Sequence, residues 1–361
     1  MPARKPDLPR PRNLKRLLAA LVAAALAATL AGCGVGGSAG SEGSEGSEGK
    51  DTLTVYTDQH AELVAALTRA YTHKTGVQFN VQNDATVGQI QAEGKASPAD
   101  VFLSEDPGPA AQLGQQGLLV PLSRKILGQV RPGLSSHQGL WVAYAARSRV
   151  LYYDPQLIAE KDLPRTLLDI AQPQFKGRFA YAPSGGFVGT VQYLISTIGT
   201  APTRAFLEKI KANGVNEQSN GNVRDTVEAG QHAMGLSNHY YWWVKAAEVG
   251  GPSQMTSKIY HFPGVDPGNL VLSSGAGILR TSQHRAEAAK FLQWLTSADG
   301  GQQILARNDP EVNEGQYPVA PGVSSALVGD LSKVQSPSYD MDLYGHQEQA
   351  EQMLKTLGMS S

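Results

Sequence analysis

Between residues 52 and 103 the chain alternates strand-like and helix-like segments in an order that leaves few folds open. Residues 52–57 (TLTVYT) alternate as a short strand. Residues 60–75 carry Leu63, Val64, Leu67, Ala70 and Tyr71 at helical spacing, and Gly76 closes that segment. Residues 77–81 read as a strand, 86–95 as a helix and 100–103 as a strand again. A βαβαβ order of this kind predicts a parallel sheet covered by helices. Farther along, residues 141–153 (WVAYAARSRVLYY) form a long extended stretch, and residues 270–279 (LVLSSGAGIL) form a second. An α/β block lies between them, so the two crossings predict a hinge joining two α/β lobes. Helix-like segments follow at 284–297, 299–306 and 346–357.

The first 33 residues read as an address rather than as part of the fold. Arg4, Lys5, Arg10, Arg12, Lys15 and Arg16 precede an apolar run at 17–30, which closes on Leu30-Ala31-Gly32-Cys33. A run that short, ending in small residues, reads as a secretion signal and not as a spanning helix. Cys33 is the single cysteine of the chain and sits at the cleavage point. That placement predicts a lipoprotein, cleaved before Cys33 and lipidated on its sulfur. Residues 34–50 repeat Gly, Ser and Glu with almost no apolar surface, which predicts a disordered tether spanning roughly 20–25 Å on average.

Removal of the signal leaves no cysteine, hence no disulfide and no thiolate metal site. It also removes six of the 31 basic residues and one of the 32 acidic ones, so the mature chain is mildly acidic. An acidic chain argues against a nucleic-acid partner.

In open α/β sheets, ligands bind beyond the carboxyl ends of the strands. Four predicted strand ends carry polar groups: His60, Glu105, the turn Ser184-Gly185-Gly186, and the run Asn238-His239-Tyr240-Tyr241. The adjacent phenols are the sharpest feature. A free phenol ionises near pH ~10 and is a poor ligand for divalent ions, whereas a hard trivalent cation can displace its proton. Glu105 and His60 would complete a mostly oxygen site, although a Tyr-Tyr pair beside Trp242 and Trp243 also suits core packing. The glycine turn precedes a helix-like segment at 187–198. It reads either as an anion site or as a plain helix start. No HExxH, Walker A or GxSxG pattern is present, and no nucleophile is marked with its base.

At these residues the chain resembles the ferric-ion-binding proteins of bacterial iron importers. The resemblance runs from Leu53 to the C-terminus. It is carried by LTVYTDQH (53–60), SPADVFLSED (97–106), GLLVPLS (117–123), WVAYAARSRVLYYD (141–154), YAPSGGF (181–187), NHYYWW (238–243), DPGNLVLSSGAGIL (266–279) and QYPVAPGV (316–323). It implies an α/β, two-lobed type II periplasmic-binding-protein fold with a hinged interlobe cleft. The expected division is 51–145 plus 271–322 for one lobe and 146–270 plus 323–361 for the other.

By the same resemblance, His60, Glu105, Tyr240 and Tyr241 are metal ligands for Fe3+. Ser184, Gly185, Gly186, Asn220 and Asn238 hold a synergistic anion such as phosphate or carbonate, with Asn222 as the other choice for the second asparagine. His239 stands where relatives often have asparagine, either behind the ligands or facing solvent. The implied role is capture of ferric iron on the extracytoplasmic face of the cell membrane, by a lipid-anchored monomer that delivers it to an ABC importer permease. The alternatives are the same fold binding another metal, an iron chelate or a small organic cation, an extracytoplasmic metal-dependent phosphate-ester hydrolase, or a scaffold lipoprotein.

Overall fold

A computed structural model describes residues 52–307, 309, 312 and 314–360. The signal, Cys33 and the tether lie outside the described residues. Among the described residues no helix is long and apolar enough to cross a membrane.

The first sheet grows from the alternation seen in the sequence. Strand β1 (Thr52–Thr57) buries Leu53 and Val55 completely, each worth about 1.5–3 kcal/mol of apolar transfer. Helix α1 (Ala61–Thr75) packs Leu63, Val64, Leu67 and Tyr71 inward and stops at Gly76, which takes the left-handed conformation that glycine adopts at least cost. Strand β2 (Gln78–Gln82), helix α2 (Val87–Glu93), strand β3 (Val101–Ser104) and helix α3 (Pro107–Gln115) follow. Both β2 and β3 pair with β1 in parallel, as the βαβαβ order predicts.

After the short helix α4 (Arg124–Leu127), strand β4 (Ala146–Tyr153) is buried along its whole length. The extended stretch expected from residue 141 becomes a strand only at Ala146. Residues 141–145 meet other segments through isolated bridges and single bonds, such as Val142 with Ser135 and Ala276.

The second sheet assembles on β4. Strand β5 (Phe179–Tyr181) leads into α5 (Gly186–Ile198) and α6 (Thr200–Asn213), then β6 (Val215–Asn216), α7 (Asn220–Glu228), β7 (Met234–Asn238), α8 (His239–Glu248) and β8 (Lys258–Tyr260). Its order is β6-β5-β7-β4-β8, parallel among the first three and antiparallel around β4. The sequence places Asn238 just beyond a strand, whereas in the structure it is the last residue of β7.

The chain then returns through β9 (Val271–Ser273) and β10 (Gly275–Ile278), two short strands where the sequence reads as one. Strand β9 pairs with the first half of β4, while β10 joins the first sheet antiparallel to β3. Helices α9 (Arg285–Thr296) and α10 (Gln302–Ala306) cover the first sheet's core, and α11 (Glu348–Thr356) packs on α5. The C-terminal segment serves both cores. Leu331, Met341 and Tyr344 pack with the first, whereas Ala350, Met353 and Leu354 pack with the second.

Candidate metal and anion site

His60 follows β1 and opens α1. Its backbone is fixed by Gln59, whose amide oxygen accepts the His60 N–H and whose amide nitrogen donates to Tyr144 and Ser274. Glu105 follows β3, where its N–H donates to Asp58 Oδ1 at 2.8 Å. Burial pushes the Asp58 carboxyl up to about 7.

Tyr240 and Tyr241 lie in the first turn of α8. The helix starts immediately beyond β7, so the strand end delivers both rings to one place. They stack with centroids 4.2 Å apart. The Tyr240 hydroxyl donates to Glu105 Oε1 at 3.3 Å, and His60 Nε2 lies 3.5 Å from Glu105 Oε2. The structure therefore brings His60, Glu105, Tyr240 and Tyr241 together from two sheets.

A fifth group, absent from the sequence expectations, is Glu314, whose carboxylate ion-pairs with His60 Nδ1. Among the described residues, no three His, Cys, Asp or Glu side chains form a metal cage by themselves. A tightly held cation would need the phenols.

Burial and the Glu105 charge push Tyr240 well above the ordinary phenol range, and burial raises Tyr241 as well. Burial also opposes ionisation of Glu105, but the His60 hydrogen bond and the Arg147 charge outweigh it and hold the carboxyl down at about 2. His60 is raised to about 10 by its hydrogen bonds to Glu105 and Glu314. The cluster thus holds an ionised glutamate, a protonated imidazole and two neutral phenols.

The glycine turn lies alongside. Helix α5 has no side-chain cap, and its preceding Ser184 and Gly185 face solvent. Gly186 has no room for a side chain, because a Cβ there would lie 2.6 Å from Asn238 Oδ1 and 3.1 Å from Arg149 Cδ. Asn238 is buried and pinned, since Tyr152 O–H donates to its carbonyl and Arg149 Nη1 donates to its Oδ1 at 2.8 Å. Asn220 is buried too and faces Arg149 and Ser237. Asn222, the other choice from the sequence, is exposed and spends its amide on the Glu217 carbonyl.

Two buried arginines on β4 were missed by sequence reading. Arg147 pairs with Asp106 and the Glu105 carbonyl. Arg149, only 3% exposed, has no carboxylate in ion-pair range among the described residues. Burial pulls it down to about 10, still leaving it charged at neutral pH. A buried guanidinium without a counter-ion is costly, and this one sits against an uncapped helix N-terminus. The signal available in the sequence was two arginines inside an otherwise apolar run.

His239 corrects the solvent-facing alternative. It is buried at 1% exposure and stacks on Tyr317 at 4.5 Å. Its Nδ1 accepts the Ser148 N–H at 3.1 Å, so Nε2 must donate to the Gly315 carbonyl at 2.8 Å. Burial pushes its pKa down to about 3, keeping it neutral.

With this geometry in hand, comparison with known proteins decides the family. The profile of bacterial extracellular solute-binding proteins matches residues 50–302. The chain belongs to that family. It is 37% identical over 277 residues to the Fe(3+)-binding periplasmic protein of Serratia marcescens, covering 76% of this chain and 80% of the relative. It is 34% identical over 316 residues to the major ferric iron-binding protein of Neisseria meningitidis serogroup B, covering 85% and 93%. Iron-bound HitA from Pseudomonas aeruginosa superposes with a TM-score of 0.76 at 32% identity, covering 85% of this chain and 99% of that one. This solute-binding protein therefore has the two-sheet architecture that the resemblance implied.

Proposed function

We propose that this solute-binding protein captures ferric iron outside the cytoplasmic membrane, together with a synergistic anion, and hands it to an ABC importer permease. The observation that carries the reading is the convergence of Tyr240, Tyr241, Glu105 and His60 from two sheets. Paired phenols held neutral by burial make a weak site for divalent ions and a strong one for a hard trivalent ion that displaces their protons. A small organic cation would call for open aromatic walls, but here the two rings stack on each other. The relatives' names point the same way.

Tyr240 and Tyr241 supply phenolates, Glu105 a carboxylate and His60 an imidazole. The anion lies on Ser184, Gly185 and Gly186, with Asn220 and Asn238 beside it and Arg149 as its buried counter-charge. Phosphate and carbonate both suit that chemistry. The chain acts as a monomer held to the membrane by lipid on Cys33.

Addition of Fe3+ to the purified protein should produce a visible phenolate-to-iron charge-transfer band. Removing both phenols, in Tyr240→Phe/Tyr241→Phe, should abolish the band and weaken binding by more than about 100-fold. A colourless wild-type complex, or undiminished binding in the double variant, would overturn the reading.

A further inference from the structure

We infer that Glu314 is a positioning residue for the cargo site: it grips Nδ1 of His60 and turns Nε2 toward Glu105 and the phenols. The inference rests on the iron reading for its purpose, but its geometry stands independently.

The two nitrogens of His60 face different carboxylates. Nδ1 is paired with Glu314 Oε2, while Nε2 looks to Glu105 Oε2 at 3.5 Å. Glu105 in turn accepts from the Tyr240 hydroxyl. The nitrogen beside the other candidate ligands is thus Nε2, and Glu314 lies on the far side of the ring. Glu314 Oε2 is buried and, among the described residues, has no hydrogen-bond partner; the ion pair with His60 is its one polar contact there. A carboxylate oxygen taken out of water with one partner has one evident task. A carboxylate on the remote nitrogen of a ligating histidine fixes ring orientation and makes the other nitrogen a better donor.

The backbone is shaped for the same purpose. Glu314 has φ 50°, a left-handed conformation that non-glycine residues rarely take. Gly315 follows at φ 65°, and a Cβ there would lie 3.1 Å from the Trp243 Cβ on α8. The segment is anchored on several sides. His239 donates to the Gly315 carbonyl, and Tyr317 exchanges both backbone bonds with Ala146 at 2.8 and 3.0 Å. Gln316 Nε2 reaches Gln59 Oε1 at 3.5 Å. The strap carrying Glu314 is therefore tied to the residue before Tyr240 and to the residue before His60.

A double-variant cycle on Fe3+ affinity, measured by competition with citrate, tests the inference. Glu314→Ala should weaken binding by about 10–100-fold, and Glu314→Gln, which keeps the shape and an acceptor oxygen, should recover most of that loss. In a His60→Ala background, Glu314→Ala should have almost no further effect. A full loss in that background would mean that Glu314 acts on the cargo or the fold directly, and would overturn the inference. So would an unchanged affinity in Glu314→Ala.

Metal-free protein supplies the arm that does not depend on iron. The His60 Nδ1–H should give a far-downfield, slowly exchanging proton resonance, lost in Glu314→Ala and kept in Glu105→Gln. Its absence from the wild type, or its persistence in Glu314→Ala, overturns the inference whatever the protein does with Fe3+. An intact resonance with no Fe3+ band would instead leave the orientation standing and sink the iron reading.

Discussion

The two sheets contribute to the site in different ways. From the first sheet come His60 and Glu105, on loops beyond β1 and β3, with side chains 31% and 27% exposed. From the second come Tyr240, Asn238 and Arg149, all 3% exposed or less. The second set is held by the Tyr152 hydroxyl, by the start of α8 and by the close approach of Gly186. The first set is held chiefly by charge: His60 between two glutamates, and Glu105 beside Arg147. One side is thus a desolvated, closely packed template, and the other a charged and more exposed face held by internal ion pairs.

That contrast can be broken most sharply with pH. The metal-free site carries protons on both phenols and on His60, because the phenols are pushed up by burial and His60 is raised to about 10 by Glu105 and Glu314. If these groups bind Fe3+ as proposed, they give up those protons, so the loaded state holds fewer of them. Affinity must then rise with pH and fall on acidification. Release of two phenol protons gives about two log units per pH unit, and release of the His60 proton as well gives about three. Titration between about pH 7 and about pH 5.5 therefore counts the ligands. A slope of about one or less would show that the buried phenols take no part.

The next largest effect separates the cation and anion subsites. Arg149→Met should leave the metal-free protein as stable as wild type or more so, because an unpaired buried charge has been removed. It should also weaken Fe3+ binding in phosphate by about 10–100-fold, the worth of a lost charged hydrogen bond. Thermal melts provide the check, since added phosphate should raise the wild-type midpoint and leave the variant unmoved. A variant that phosphate still stabilises would take Arg149 out of the anion site.

The smallest effect concerns the join between the two sides. His239→Phe keeps the stack on Tyr317 but strands the Ser148 N–H and the Gly315 carbonyl. It should cost about 1–3 kcal/mol in a urea melt while the visible band persists. His239 also makes the wild type acid-sensitive. Its pKa is lowered to about 3 in the folded protein, so protons bind preferentially to the unfolded chain. Stability falls as pH drops through the unfolded value near ~6.5, and this part of the acid sensitivity should vanish in the variant.

Much of this was legible in the sequence because it is local. The alternation in TLTVYT, the helical spacing before Gly76 and the strand-ending positions of His60, Glu105 and Tyr240 need only neighbouring residues. The remainder depends on distant partners. Arg149 reads as one more residue of a strand until Asn238 and Gly186, far along the chain, enclose it. Glu314 carries no local pattern at all, since its partner His60 lies more than 250 positions earlier. His239 reads as polar, either behind the ligands or facing solvent, and only Tyr317 and Ser148, far along the chain, decide that it is buried. Isolated bridges at residues 135, 142 and 276 likewise explain why the apolar run from residue 141 is not strand throughout. Those partners are supplied by the tertiary fold, which local spacing does not encode.

Strand β4 changes partners along its length, from β9 at Ala146–Ser148 to β7 from Arg149 onward. Arg147 and Arg149 stand on either side of that change, one fastened to the first sheet's acidic loop and the other to the second sheet's asparagines. Only Ser148 separates them, with its amide held by His239. A rotation of one sheet against the other would twist the backbone at these three residues, as it would at Ser274, where the chain crosses back between β9 and β10. The strand is in effect a torsion bar, with one subsite clamped to each end.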